Sequence, residues 1–161
     1  MAVIADTDIL STFGKVGRID LLKQLFQKVY VAPAVSRELL QAERGGFIWV
    51  ASVRRAVELL PLTASESKKC ERFFSMYPQL GSGEVESFVL AQVHHLICLT
   101  NNRQAKEVGK VLGLPYLDLE EILRALKTRV ILTTEALTEL IEQIEKKDHT
   151  RIRAKEQILS S

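Results

Sequence analysis

Short apolar runs that stop abruptly and hand over to longer helical stretches constrain this chain more than anything else in it. The runs are residues 2–5, 29–32, 96–100 and 114–117. Each is followed by a residue that starts helices well: Asp6, Pro33, Asn101-Asn102 and Asp118. Strands alternating with helical segments favour a parallel sheet with crossover helices. The expected fold class is therefore α/β with a central parallel sheet. Helical spacing is expected from Thr7 to Phe26, interrupted around Gly14 and Gly17, and from Pro33 to Glu43, closed by Gly45-Gly46. Further helices are expected over 65–77, 84–95, 103–112, 118–128, 134–147 and 150–159. Gly81-Ser82-Gly83 opens one of these and Gly113 ends another. Residues 47–53 fit either a strand or an irregular excursion.

At 161 residues the chain suits one domain, 1–161, with a core over about 1–130 and a helical extension over about 131–161. The extension carries Glu142, Glu145, Lys146, Lys147 and Asp148 in a cluster. It reads as a solvated helical tail or as an arm that docks on a partner or on a second copy. Hydrophobic residues make up 47% but aromatics only 6%, so the core must be aliphatic. A net charge of +2 neither requires nor excludes a nucleic-acid partner. Cys70 and Cys98 stand apart with no metal-binding spacing, which suits two buried free thiols and a reducing compartment. The N-terminus is too short and too acidic for a signal sequence, and no apolar run reaches membrane-span length. A cytoplasmic protein with no membrane partner is expected.

The residues that could carry chemistry are acids at strand ends. Asp6 and Asp8 flank Thr7 directly after the first run, at the carboxyl edge where parallel sheets place their sites. An N-cap explains one aspartate there; two in succession lean toward an ionic site. Glu38 alone is an ordinary helix residue that Arg37 or Arg44 could satisfy. Glu86 shares a helical stripe with Val89, Leu90 and Val93, where an unpaired charge is costly. The dipole of its own helix or a bound cation would offset that cost. Glu84 faces the more mixed Ser87 and Phe88. Asn101 and Asn102 are sufficient as N-caps, and Arg103 beside them could meet a phosphate. Oxygen donors gathered this way suit Mg²⁺ or Mn²⁺ rather than zinc. The histidines do not argue otherwise: His94 and His95 point to different sides of their helix, and His149 stands alone. There is no G-x-G-x-x-G, no G-K-[ST] and no G-x-S-x-G. A phosphoacceptor receiver is disfavoured because no aspartate ends the second run.

In order and spacing, Asp6-Thr7-Asp8, Pro33-Ala34-Val35 with Glu38, Gly83-Glu84-x-Glu86 and Leu99-Thr100-x-Asn102-Arg103 resemble the PIN-domain ribonucleases. The nearest branch is the prokaryotic one that includes toxins of VapC-type toxin–antitoxin pairs. The resemblance implies a three-layer α/β/α fold, Mg²⁺ or Mn²⁺ dependence and endonucleolytic cleavage of single-stranded RNA. By match to the motifs, Asp6, Glu38 and Glu86 would be the catalytic acids. Glu84 and Asn102 would join them as metal ligands, with Thr7, Asp8, Thr100, Asn101 and Arg103 in support. An antitoxin protein and a homodimer are the implied partners. Leu21 to Phe26 offers apolar surface for self-association, unless that helix faces the core. The family usually has aspartate where Asn102 stands, and often a second acid where Asn101 stands. That departure keeps another reading open: a catalytically weak PIN-like module that binds RNA or a protein partner.

Overall fold

The structure is a computed structural model that describes residues 1–160. Five strands form one all-parallel sheet: β1 (Ala2–Ala5), β2 (Lys28–Val31), β3 (Glu58–Leu59), β4 (Ile97–Leu99) and β5 (Tyr116–Leu117). Their spatial order is β3-β2-β1-β4-β5. The chain thus builds outward from β1 in one direction and then returns to build in the other. The order reverses between β1 and β4, and the crevice beyond their carboxyl ends is where open α/β sheets bind ligands. β1 is a wholly apolar strand because both faces are covered: Val3, Ile4 and Ala5 have no exposed surface.

Helices α1 (Thr7–Lys15), α2 (Ile19–Leu25), α3 (Pro33–Arg44), α4 (Val50–Ala56), α5 (Ala64–Met76), α6 (Ser82–His94), α7 (Arg103–Leu112) and α8 (Leu119–Thr128) connect the strands. The chain closes with α9 (Thr134–Lys147) and α10 (Lys155–Ser160). Several starts are written in the sequence. Thr63 and Glu66 form a reciprocal capping box at α5, Asp118 and Glu121 another at α8, and Asn102 caps α7. Gly113, in the left-handed region at φ 65°, ends α7. The core is aliphatic apart from Phe13, Phe26 and Phe88, and Cys70 and Cys98 lie within it as free thiols.

Several expectations are corrected. The interruption expected around Gly14 and Gly17 falls at residues 16–18, with Gly17 in the left-handed region at φ 69°. Gly14 lies just inside the end of α1, where Trp49 and α4 pack close. A Cβ on Gly14 would stand 2.6 Å from Trp49 Cε3 and 2.8 Å from Val53 Cγ2. Residues 47–53 are neither a strand nor an irregular excursion: a turn leads into α4, and the two-residue edge strand β3 follows. The charged extension is not a solvated tail. Leu137, Leu140, Ile141 and Ile144 of α9 are buried, as are Ile152 and Ile158, and they join the same apolar cluster as the sheet. Asp148 fastens this end to α1 by bonds to Thr12 Oγ1 (2.7 Å) and Lys15 Nζ (2.8 Å). The last helix starts only at Lys155, leaving the stretch before it irregular. Finally, Leu21, Leu22, Leu25 and Phe26 are all buried within the chain, so this segment offers no apolar surface to a second copy.

Candidate metal centre

Asp6 and Thr100 are the residues that directly follow the paired ends of β1 and β4, where Ala5 is in register with Leu99. The Asp6 backbone N–H donates to the Leu99 carbonyl at 2.9 Å, which carries the ladder one residue further. The Thr100 hydroxyl, fully buried, donates to Asp6 Oδ2 at 3.1 Å. Asp6 is thereby fixed in place with only 5% of its surface exposed. Two residues on, Asp8 Oδ2 accepts from the Asn101 backbone N–H at 3.0 Å, a second tie between the α1 and α7 entries.

Helix α3 brings Glu38 to the same place, where Thr7 Oγ1 donates to Glu38 Oε2. Helix α6 must come close for this to work, and Gly83 allows it. A Cβ there would stand 3.2 Å from Glu38 Oε1, 3.3 Å from Val35 Cγ2 and 3.5 Å from Asp6 Oδ1. Glu84 bends back over Gly81 from the first turn of α6. Together Asp6, Thr7, Asp8, Glu38, Glu84 and Asn102 line a cleft of about 150 Å³. Four of its six residues are acids, and none is a lysine or arginine.

Electrostatics follow from that composition. Burial pushes the Asp6 carboxyl well above its ordinary range, and the neighbouring charges of Asp8, Glu84 and Glu38 push it further. The Thr100 hydrogen bond opposes them only in part. Asp8 is raised as well, chiefly by burial and against the pull of its backbone donors. Carboxylates so held are short of positive charge, and hard oxygen donors match Mg²⁺ or Mn²⁺. In charge and donor type the residues present fit such an ion. Among the described residues, however, no three acid, histidine or cysteine side chains are drawn tightly enough around one point to hold an ion as they stand. Asn102 lines the cleft, but its Oδ1 already accepts from the Ala105 N–H at 2.9 Å as the N-cap of α7.

The sequence-derived candidates therefore separate. Asp6, Glu38, Glu84, Thr7, Asp8 and Asn102 meet at the cleft, with Thr100 beneath it. Glu86 does not line it. Its Oε1 accepts from the Ala34 backbone N–H at 2.8 Å, and Arg37 stands 3.7 Å from Oε2. Ala32, the N-cap of α3, has no side chain that could cap that helix; Glu86 does so from α6. Asn101 faces away, with its Oδ1 accepting from the Leu119 N–H at 3.3 Å. Arg103 is exposed and pairs with Glu107 at 3.4 Å.

A family model of the PIN domain matches residues 2–160. The chain belongs to the PIN-domain family. That match runs through α9 and α10, so the charged extension lies within the span of the PIN-domain model. No curated protein matches the sequence. Among solved structures, the PIN fold is shared with VapBC2 from Rickettsia felis bound to a DNA fragment from its promoter. That match has 13% identity and a TM-score of 0.56, over 73% of this chain and 98% of that one. VapBC-1 from nontypeable Haemophilus influenzae is similar at 14% identity and a TM-score of 0.53, over 73% and 98%. PAE2754 from Pyrobaculum aerophilum is similar at 17% identity and a TM-score of 0.55, over 78% and 98%.

Gly83 supplies a direct test of the cleft. Alanine in this first turn of α6 gains a little helix propensity, but its methyl group would stand 3.2 Å from Glu38 Oε1, which must shift to make room. Gly83→Ala is expected to stay folded and to lose about tenfold or more in Mn²⁺ affinity, in line with the sensitivity of metal sites to ligand orientation. Calorimetric titration alongside a thermal melt separates the two effects.

Proposed function

We propose that this PIN domain is a divalent-metal-dependent endoribonuclease acting on single-stranded RNA, as the toxin of a toxin–antitoxin pair. The observation that carries the proposal is the buried Asp6 carboxylate at the β1–β4 reversal, crowded by Asp8, Glu38 and Glu84 with no cationic side chain in the cleft. Asp6, Glu38 and Glu84 are the proposed metal ligands, with Asp8 beside them and the Asn102 carbonyl oxygen at the rim. Thr7 and Thr100 orient Glu38 and Asp6 through their hydroxyls. Glu86 is a positioning residue, since it ties the N-terminus of α3 to α6 and so holds Glu38 above Gly83. A bound Mg²⁺ or Mn²⁺ would supply a water nucleophile at neutral pH and neutralise charge on the phosphate under attack.

The VapBC structures among the similar folds support an antitoxin protein as partner. The same reading places the protein in the cytoplasm; among the described residues no helix is long and apolar enough to cross a membrane. It includes a homodimer as well, on a surface other than Leu21 to Phe26.

A second reading has its own support. Asn102 brings no charge and is committed to capping α7, which favours a catalytically weak module that binds RNA or a protein partner. Millimolar Mn²⁺ distinguishes the two. The nuclease is expected to bind the ion, to cleave a labelled single-stranded RNA and to stop when EDTA is added. Absence of Mn²⁺ binding by calorimetry would leave the binding module as the better account.

A further inference from the structure

A second cleft lies at the same edge of the sheet, and its lining is net positive, with Lys106, Arg151 and Arg153 against Asp118 and Glu120. It occupies about 290 Å³ and is lined by Asn101, Lys106, Asp118, Leu119, Glu120 and the segment from Thr150 to Arg153. Asn101 links the two clefts: its backbone N–H holds Asp8, and its neighbour Asn102 lines the acidic one. Residues 149–155 read His-Thr-Arg-Ile-Arg-Ala-Lys, three cations with no acid.

The segment is held as a strap rather than left as a loose end. Upstream, Asp148 grips Thr12 and Lys15 of α1, the helix that carries Asp8. In the middle, Ile152 is buried and its N–H donates to Glu145 Oε2 at 3.1 Å. Downstream, Lys155 pairs with Glu145 at 3.4 Å. Arg151 and Arg153 flank the buried Ile152 and are both exposed, and neither has a hydrogen-bond or ion-pair partner among the described residues. The cations nearby differ in this respect: Lys106 is paired with Asp118 at 3.4 Å and Lys155 with Glu145. The backbone is therefore fixed while two guanidinium groups are left uncommitted.

We propose that the 149–155 strap is a phosphate-binding element, in which Arg151 and Arg153 hold the backbone of a single-stranded RNA whose next phosphates reach the acidic cleft. The inference rests on the nuclease reading for the identity of the polyanion. Its physical basis is charge complementarity: a cleft of four acids repels phosphate, so a strand must be drawn in by cations beside it. Arginine suits that task because its planar fork engages phosphate oxygens in pairs. Such contacts position a strand without reading its sequence.

The test is performed on the full chain in EDTA, so that binding is measured without cleavage and without any metal. A fluorescent single-stranded oligouridylate is titrated at several salt concentrations, followed by anisotropy. Arg151→Ser with Arg153→Ser is expected to weaken binding about tenfold or more. It should also lower the salt slope by about 1.4, or about 0.7 for each phosphate contact on a single strand. Arg151→Lys with Arg153→Lys keeps the charge and should keep the slope, which separates electrostatics from misfolding. Lys68→Ser with Lys69→Ser removes the same charge from α5, which lines neither cleft, and should leave affinity within about twofold. Wild-type protein that binds no oligouridylate, or serine variants that bind as the wild type does, would overturn the proposal. Mn²⁺ affinity measured in parallel tests the nuclease reading separately: its absence sinks that reading while leaving a strap-dependent RNA affinity standing.

Discussion

Asn102→Asp is expected to tighten Mn²⁺ binding about tenfold, because ligand charge count tunes the affinity of oxygen sites. The substitution places one more carboxylate on a cleft that already holds Asp6, Asp8, Glu38 and Glu84. It should cost α7 little, since aspartate accepts the Ala105 N–H as well as asparagine does and the two rank together as N-caps. Without metal the added charge crowds Asp6 further, so the metal-free variant should melt below the wild type. With saturating Mn²⁺ the order should reverse, because ligand linkage converts a tenfold gain in affinity into about 1.4 kcal/mol of stability. Cleavage of single-stranded RNA should rise alongside. The crossing of the two melting curves is the decisive feature, for a residue that only capped α7 would leave both the Mn²⁺ affinity and the melting order unchanged. Adding Asp6→Asn to the variant should remove the gain in affinity and the gain in cleavage together.

The parts of the fold legible in the sequence are those where one residue does two jobs. Asp6, Pro33, Asn102 and Asp118 each end an apolar run and start a helix, so four of the five strand ends could be placed within a residue or two. β3 could not, because Glu58-Leu59 is a two-residue edge strand with Leu59 half exposed, and nothing in its pattern differs from a loop. The apolar side of α9 was visible in principle, as Leu137, Leu140, Ile141 and Ile144 follow helical spacing, but the dense charge around them read as a solvated face. Glu86 shows where one-dimensional reasoning stops. Helical periodicity rightly placed it on a buried stripe that demands compensation. Compensation comes from the Ala34 N–H, 52 residues away at the start of another helix, and from the Arg37 guanidinium 3.7 Å away, neither of which the spacing within α6 could indicate. Glu84, on the more mixed face of α6, lines the cleft because α6 approaches α3 through Gly83. Arg151 and Arg153 carry no signal in the sequence, since exposed arginines are ordinary; only the anchoring of Ile152 between them sets them apart.

Asp6→Asn is expected to raise the melting temperature of the metal-free protein at neutral pH while abolishing its response to Mn²⁺. Burial and three neighbouring carboxylates hold the Asp6 pKa well above the ordinary 3.8. In that situation the folded state keeps a proton that the unfolded chain has already released. Stability therefore falls as pH rises from about 3.8 toward the raised folded value, and the loss is complete above it. Asparagine does not titrate and still accepts from Thr100, so it escapes that loss. Removing a buried, uncompensated charge is worth about 1 kcal/mol or more, and each kcal/mol moves a domain of this size by about 2–4 °C. Other acids titrate in the same range, Glu66 among them, whose pKa is lowered chiefly by the Thr63 backbone N–H and whose contribution is lost as pH falls. The difference between wild type and variant is the informative quantity, because Glu66 is common to both. That difference should be near zero at about pH 4 and should widen toward pH 7 without metal. Under millimolar Mn²⁺ it should shrink or reverse, because only the wild type retains the charge that binds the ion. A variant that melts below the wild type at pH 7 in EDTA would show that Asp6 is already compensated within the fold, and the case for a cation at the end of β1 would fail with it.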